Sequence, residues 1–103
     1  MNKEVIKETL ALKEHYTDKL KSMIGELEDI LMNSTIWGFI DVNFTDDHVV
    51  AHGDTGTVYI DLDTYYFTFD GVTNMDEVEQ VQEVAKVVEE YLEQPHRDEV
   101  MGA

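Results

Sequence analysis

The spacing of apolar residues changes twice along the chain, and the middle part, where they alternate, is broken by very short turns. The alternation predicts four strands, over 36–44, 48–52, 57–62 and 65–69. The turns between them are rich in Asp, Gly and Thr and are too short for the crossovers that parallel strands require. The sequence therefore predicts an antiparallel sheet in the order 1-2-3-4.

Apolar residues at spacings of three and four predict one amphipathic helix on each side of this sheet segment. The first covers 3–32, with Asn2 as a candidate N-cap, a bend expected near Gly25 and a polar stop at 33–35. The second follows residue 71 and ends at Pro95, which cannot continue a helix. Its capping box is either Thr73 with Asp76 or Asn74 with Glu77.

The element order α-β-β-β-β-α predicts an α+β fold in which two helices pack on one face of a four-stranded antiparallel meander and leave the other face open. A chain of 103 residues with 43% hydrophobic residues is sufficient for one core. We expect a single domain over 1–95 and a short flexible C-terminal tail over 96–103.

We expect the more aliphatic residues of each strand to face the helices, which assigns a second set to the open face. The inward set is Ile40, Val42, Phe44, Val49, Ala51, Val58, Ile60, Leu62, Phe67 and Phe69. The open-face set is Trp37, Phe39, Asp41, Asn43, His48, Val50, His52, Tyr59, Asp61, Asp63, Tyr66, Thr68 and Asp70. Aromatic rings and aspartates are thus expected to share one surface.

The composition indicates a cytoplasmic protein. The chain has no cysteine, so a disulfide scaffold and thiolate chemistry are excluded. No run approaches the roughly 20 apolar residues that span a bilayer, and the first residues open an amphipathic pattern instead of a signal peptide.

The formal charge of −16 is unevenly distributed. Residues 1–32 hold five lysines against seven acids, whereas residues 33–103 hold one lysine and one arginine against sixteen acids. Such a field attracts cationic partners and repels phosphates and anionic lipid. We therefore expect no direct binding to nucleic acid or to membranes.

Three motifs contain residues that could carry chemistry, and none supports an enzyme. The segment 54–57, Asp-Thr-Gly-Thr, matches the short signature of aspartic proteases, but its composition and flanking residues favour a hairpin turn. Asp61 and Asp63, with Asp41 or Asp70, offer oxygens for a hard metal without a recognisable loop motif. His48 and His52 lie about 13 Å apart on one strand face, too far to share a metal. We expect no catalytic residue, cofactor or metal.

The acids and the exposed aromatics together predict a surface that binds a basic protein. Aromatic side chains would supply contact area and carboxylates would set orientation and association rate. The candidate partner-binding residues are Asp41, Asp46, Asp47, Asp54, Asp61, Asp63, Asp70, Trp37, Phe39, Tyr59, Tyr66, Glu79, Glu83 and Glu90.

The leading hypothesis is an inhibitor that mimics nucleic acid and occupies the basic groove of a nuclease or CRISPR effector. In size, charge and lack of cysteine the chain resembles, as a class, the small acidic proteins with which phages block CRISPR effectors and restriction enzymes; a phage protein would act in the host cytoplasm. Two alternatives stay open. One is an immunity protein or antitoxin that caps a nuclease, and the other is a homodimer or larger homo-oligomer, burying Trp37, whose acidity serves solubility.

Overall fold

A four-stranded antiparallel sheet and three helices make up the fold, as seen in a computed structural model that describes residues 1–12, 16–35, 37–45 and 47–95. The helices are α1 (Asn2–Leu12), α2 (Tyr16–Ser34) and α3 (Met75–Glu93). The strands are β1 (Phe39–Phe44), β2 (His48–Gly53), β3 (Thr57–Asp61) and β4 (Phe67–Asp70), in the sheet order β1-β2-β3-β4. The predicted α+β class and the meander are confirmed. The predicted tail, 96–103, lies outside the described residues.

The segment predicted as one helix over 3–32 is a pair of helices, α1 and α2. Asn2 lines the same cleft as Glu26 and Ile30, so α1 folds back along α2. Gly25, where a bend was expected, lies inside α2. The connection, residues 13–15, lies outside the described residues, and its sequence, Lys-Glu-His, has neither glycine nor proline to signal a turn.

The core lies between one face of the sheet and the helices. α2 packs on β1 and α3 packs on β3, so the helices cover a single face, as predicted. The fully buried side chains come from all three helices and from the two central strands: Ile6, Leu20, Leu27, Leu31, Val49, Val58, Ile60, Val81, Val88 and Leu92. Removing each such side chain from water contributes about 1.5–3 kcal/mol.

A β-bulge at Ile40 changes which side chains of β1 face the core. Phe39 pairs with Gly53 and Asp41 pairs with His52, so Ile40 has no partner on β2. One extra residue moves the preceding side chains to the opposite face. Trp37 is consequently buried, at 4% exposed, and Ile40 is 59% exposed. The predictions that Trp37 lies on the open face and that Ile40 faces the core are wrong.

Two further side chains differ in exposure from what was predicted for the two faces of the sheet. Phe69, expected inside, is 39% exposed, because α3 packs over β3 and the edge strand β4 is less covered. Val50, expected on the open face, is buried at 7% exposed, because β2 is a central strand and places it between Asn43 and Tyr59.

Both ends of α3 are capped by side-chain hydrogen bonds. The Asn74 Oδ1 accepts a hydrogen bond from the Glu77 backbone N–H at 2.8 Å, which selects Asn74 from the two predicted capping boxes. At the other end the Asn2 Nδ2 donates to the Tyr91 carbonyl at 2.8 Å. Asn2 is the first residue of α1 and binds the C-terminal carbonyls of α3, so its prediction as an N-cap is wrong.

Candidate acidic interaction surfaces

The solvent side of α3 carries a row of carboxylates that we call the α3 stripe. It consists of five exposed acids: Asp76, Glu79, Glu83, Glu90 and Glu93. They recur at helical spacing opposite the buried valines of α3, and they extend over about 25 Å of helix axis. Lys86 is the one cation on this side of α3. The stripe is therefore a concentrated negative surface, and its like charges repel one another at this spacing.

A shallow groove adjoins the N-terminal half of the α3 stripe. It lies between the C-terminal end of α2 and α3 and has a volume of about 580 Å³. Ser34 and Thr35 form one wall, and Asp76, Glu79 and Glu83 contribute to the other. The groove offers hydroxyl groups on one side and carboxylates on the other, a lining suited to a cationic side chain.

The sheet face turned away from the helices, which we call the outer face, carries fewer acids. The strand register aligns three rows across it: Asp41, His52, Thr57 and Asp70; Asn43, Val50, Tyr59 and Thr68; and His48 with Asp61, beside Tyr66. Asp41 and Asp70 lie at opposite ends of their row, about 14 Å apart at the usual strand spacing. The outer face is therefore polar and aromatic with scattered carboxylates.

Contacts on the outer face tie several of its side chains together. The His48 and Tyr59 rings meet edge to face at 6.5 Å between centroids. The His52 Nε2 lies 3.9 Å from the Asp41 Oδ1, and its Nδ1 lies 3.3 Å from the Thr57 hydroxyl. Tyr59 is 37% exposed and Tyr66 is 72% exposed, so these two predicted anchors are accessible.

Two of the predicted binding acids are engaged in holding the β3–β4 turn. The Asp61 Oδ1 accepts hydrogen bonds from the backbone N–H groups of Asp63 and Thr64 at 2.8 and 2.9 Å. These N–H groups, that of Thr64 foremost, hold the pKa of Asp61 below its usual range. Asp63 in turn forms an ion pair with Lys7 of α1. Reversing the charge of either residue would disturb the β3–β4 turn as well as the negative electrostatic potential of the surface.

The same turn is clamped between α1 and α3 through Tyr65. Tyr65 has a positive φ of 63°, an uncommon conformation for an aromatic residue. Its hydroxyl donates to Glu93 Oε1 at 2.5 Å, and the Lys3 ammonium lies 4.8 Å from its ring centroid. Burial of Tyr65 raises the pKa of its hydroxyl. These contacts fix the position of Tyr66 and of the start of β4.

The remaining predicted residues lie at the sheet's turns or outside the described part. Asp47 is exposed between β1 and β2, and Asp54 is exposed in the β2–β3 hairpin, where Gly53 N–H donates to Gly56 carbonyl at 2.8 Å. The hairpin turn expected for the Asp-Thr-Gly-Thr segment is thus present. Asp46 lies outside the described residues, and so does the side chain of Phe39.

The fold divides the predicted acids between two sides of the molecule. α3 packs on the inner face of the sheet, so Glu79, Glu83 and Glu90 point away from the outer-face aspartates. A single surface combining all the predicted residues does not form. Sequence reasoning did not place Asp76 and Glu93 in the site, although a helical projection of the 76–93 segment groups them with Glu79, Glu83 and Glu90. No pattern in the sequence indicated that the Ile40 side chain would be exposed.

Within the described ranges, no group of three or more His, Cys, Asp or Glu side chains is arranged to hold a metal ion. No helix in the described part of the chain is long and apolar enough to cross a membrane. No protein-family model, curated protein or solved structure matches this protein.

Proposed function

We propose that this protein is an acidic binding protein that acts in the cytoplasm by occupying the basic nucleic-acid-binding groove of another protein, with the α3 stripe in the place of a phosphate backbone. The observation that supports this most directly is the row of five exposed carboxylates on one side of α3, where Lys86 is the one cation of the helix and Lys3 of α1 lies near Glu93 at the C-terminal end.

The dimensions of the α3 stripe suit this role. One strand of duplex DNA carries a phosphate about every 3.4 Å of axis, or roughly seven over 25 Å. The stripe presents five carboxylates over about the same length of helix. Carboxylates accept bidentate hydrogen bonds from arginine as phosphates do, so a groove lined with Arg and Lys could contact both. The carboxylates of the stripe correspond to the phosphates of one DNA strand, which favours a partner protein that contacts a single phosphate backbone.

The division of charge supports a defined binding side. Residues 1–32, which contain α1 and most of α2, are nearly balanced, with five lysines against seven acids. The excess of acid lies in the later part of the chain, where α3 holds Asp76, Glu77, Glu79, Glu83, Glu89, Glu90 and Glu93. Such asymmetry orients the protein as it approaches a cationic surface and speeds association at low salt.

The test is a pull-down from bacterial lysate at low salt with the immobilised protein, followed by elution in a salt gradient. We expect recovery of a nucleic-acid-binding protein that added duplex DNA displaces, with affinity falling steeply as salt rises. A captured protein that DNA does not displace, or binding that salt does not weaken, contradicts the proposal. Identification of the captured protein also separates a nuclease-capping immunity protein from an inhibitor of a CRISPR or restriction effector.

Two triple variants with the same change in net charge locate the binding surface. The first is Glu79→Gln, Glu83→Gln and Glu90→Gln, which removes three members of the α3 stripe. The control is Glu8→Gln, Asp18→Asn and Asp29→Asn, at exposed positions of α1 and α2. We expect the stripe variant to weaken capture about 10- to 100-fold and the control to change it far less. Equal loss in both would mean that net charge alone carries binding.

A structural homo-oligomer is the second candidate, and the exposed apolar side chains on the sheet favour it. Ile40, Tyr66 and Phe69 are 59%, 72% and 39% exposed. A dimer that buries Trp37 no longer separates the hypotheses, because Trp37 is already buried within the chain. Sedimentation equilibrium tests the alternative: a tight oligomer that captures nothing would favour it over the binding role.

A further inference from the structure

The two edges of the sheet differ in how their backbone groups are satisfied. On β1 the backbone N–H groups of Val42 and Phe44 turn away from β2. The Val42 N–H donates to the Glu28 carboxylate of α2 at 3.3 Å, and the Phe44 N–H donates to the Asn43 side chain at 2.9 Å. Side chains thus occupy the donors that a further strand would need, and the β1 edge is closed to strand addition.

The β4 edge has no such protection. The Asp61 N–H donates to the Tyr66 carbonyl at 2.9 Å, and Thr68 and Asp70 continue the pairing in register with Tyr59 and Thr57. In an antiparallel ladder the intervening residues, Phe67 and Phe69, therefore direct their N–H and C=O groups away from β3. No described residue hydrogen-bonds these groups on that side. β4 offers two donors and two acceptors at an open edge.

A groove beside this edge provides room for side chains. It lies between the inner side of β4 and α3, has a volume of about 220 Å³, and is lined by Phe67, Ala85, Lys86 and other residues. Phe67 is partly buried and Phe69 is 39% exposed, because α3 packs over β3 and does not reach across the edge strand. An added strand would cover both rings.

We propose that the β4 edge binds an extended segment of a basic partner protein by strand addition. The chemistry on each side of β4 defines a pattern of five residues: basic, apolar, any, apolar, basic. The segment would complete the sheet as a fifth strand and pair its backbone with Phe67 and Phe69. This goes beyond the role of the α3 stripe, because binding depends on backbone pairing at β4.

The basic positions follow from the outer face. A residue opposite Asp70 or Tyr66 forms a non-hydrogen-bonded pair with it, in which side chains approach most closely. A lysine or arginine there meets the exposed Asp70 carboxylate at one end and the open face of the Tyr66 ring at the other. The outer face carries Asp41, Asp61 and Asp70 and, among its described strand residues, no lysine or arginine.

The apolar positions follow from the groove. Residues opposite Phe67 and Phe69 point toward α3, where an apolar side chain covers both rings beside Ala85. Lys86 and Glu89 both line this groove, so it has no excess of acid to attract a cation. A second copy of this chain is disfavoured as the occupant, since each copy carries a net charge of −16 and β4 has no basic residue to offset it.

The probe is a synthetic seven-residue peptide, blocked at both ends, with lysine at its second and sixth positions, valine at its third and fifth, and threonine elsewhere. Amide hydrogen exchange is followed by NMR on the isotope-labelled protein. At saturating peptide we expect exchange of the Phe67 and Phe69 amides to slow about tenfold or more. The capped Val42 and Phe44 amides of β1 should keep their free-state rates.

The decisive control is the same peptide with N-methyl groups on both valines. Methylation removes the two N–H donors that would face Phe67 and Phe69 but keeps every charge and side chain. We expect binding and protection to be lost. If the methylated peptide binds as well as the parent, attraction is electrostatic only and strand addition is wrong. Exchanging the lysine and valine positions should also weaken binding, because the valines no longer cover Phe67 and Phe69 and the lysines no longer meet Asp70 and Tyr66.

Variants of the protein separate this inference from the proposed role of α3. Phe69→Pro removes an outward N–H at an edge position where proline is tolerated, and it should abolish peptide binding. Asp70→Asn should weaken binding without loss of the fold. Glu79→Gln with Glu83→Gln should leave it unchanged. Peptide-induced shifts confined to α3, or Phe67 and Phe69 amides that become protected with protein concentration alone, would overturn the inference in favour of stripe binding or self-association.

Discussion

At the residue scale, the contact between Gly53 and Trp37 shows how one side chain fixes its neighbour's identity. A Cβ built on Gly53 would lie 2.5 Å from Cζ2 of the Trp37 ring, closer than van der Waals contact allows. Gly53 is the β2 partner of Phe39, at the point where the bulge turns Trp37 inward. The absence of a side chain there is therefore a requirement of the buried indole.

We expect Gly53→Ala to lower the free energy of unfolding by about 1–3 kcal/mol, the usual cost of overpacking a core. Gly25→Ala is the matched control: Gly25 lies inside α2 with nothing within 4 Å of its added Cβ, and the change should stabilise the protein by about 0.5–1 kcal/mol. Urea denaturation followed by the fluorescence of the single tryptophan measures both. Equal stability of Gly53→Ala and wild type would show that the indole does not pack there.

The burial of Trp37 could not be predicted from the alternation of residues. Spacing of two assigns it to the same side as Asp41, and that assignment is correct only if no residue is inserted between them. The bulge at Ile40 changes the assignment, and bulge positions depend on pairing with β2, which a single strand's sequence does not encode. A buried tryptophan N–H usually has a hydrogen-bond partner, yet the Trp37 Nε1 is buried without one among the described residues.

At the element scale, Tyr91 connects α3 to α2. Its ring is buried at 2% exposed, and its hydroxyl donates to Glu26 Oε2 at 3.0 Å. Burial, and then the hydrogen bond to the Glu26 carboxylate, raise the pKa of Tyr91 well above its usual range. The junction between the two helices therefore depends on a protonated tyrosine.

Tyr91→Phe is expected to lower the free energy of unfolding by about 1.5 kcal/mol at neutral pH. This is the low end for a hydrogen bond to a charged group, because the partly exposed Glu26 carboxylate can bind water instead. The pH dependence should change too. The unfolded tyrosine ionises near pH 10 and the folded one does not, so the stabilisation is complete below about pH 10 and is lost as pH rises further, by up to about 1.4 kcal/mol per unit. The variant should lose less stability than wild type above that pH.

Denaturant titrations at neutral pH and at several alkaline values measure this. Taking the difference between wild type and Tyr91→Phe removes the effect of lysine deprotonation, which both share. Tyr66→Phe, which removes an exposed hydroxyl with no described partner, should cost almost nothing at neutral pH. Parallel alkaline curves for wild type and Tyr91→Phe would contradict the assignment of the shift to Tyr91.

The elements themselves were largely predictable, and the exceptions have a common cause. The strands and α3 have clear periodicity and turn residues at their ends, so their existence and order follow from local pattern. Two strands differ most in their bounds: β1 begins at Phe39 where residue 36 was expected, and β4 is Phe67–Asp70 where 65–69 was expected. The division of 3–32 into α1 and α2 does not follow from local pattern, because apolar spacing continues across 13–15 and no glycine or proline interrupts it. Packing of both helices against α3 is a tertiary effect that local pattern does not report.

At the scale of the whole molecule, the charge of −16 was evident from composition, but its arrangement on two sides of the sheet was not. Grouping Glu79, Glu83 and Glu90 on one side of α3 requires only helical periodicity, so their shared position could be predicted. Relating them to the outer-face aspartates required knowing which sheet face α3 covers. The sequence alone suggested one continuous acidic surface where the fold makes two.

This charge should also make the stability of the fold depend on salt. Among the described residues the ion pairs are few, and they include Lys7 with Asp63 and the N-terminal amine with Glu4. Repulsion along the α3 stripe is therefore largely unrelieved, and it destabilises the compact state. Because the Debye length falls as salt is added, we expect the melting temperature to rise between about 0.02 and 0.5 M NaCl.

The stripe variant, with Glu79, Glu83 and Glu90 changed to Gln, should melt higher than wild type at low salt and respond less to NaCl. The control variant at Glu8, Asp18 and Asp29 removes the same charge from helices that already hold most of the lysines, so its gain should be smaller. Calorimetry across the salt series compares the three proteins. A stripe variant that melts no higher than the control at low salt would mean that repulsion along the α3 stripe does not limit stability. A wild-type melting temperature that falls with NaCl would mean that native ion pairs outweigh repulsion in the fold.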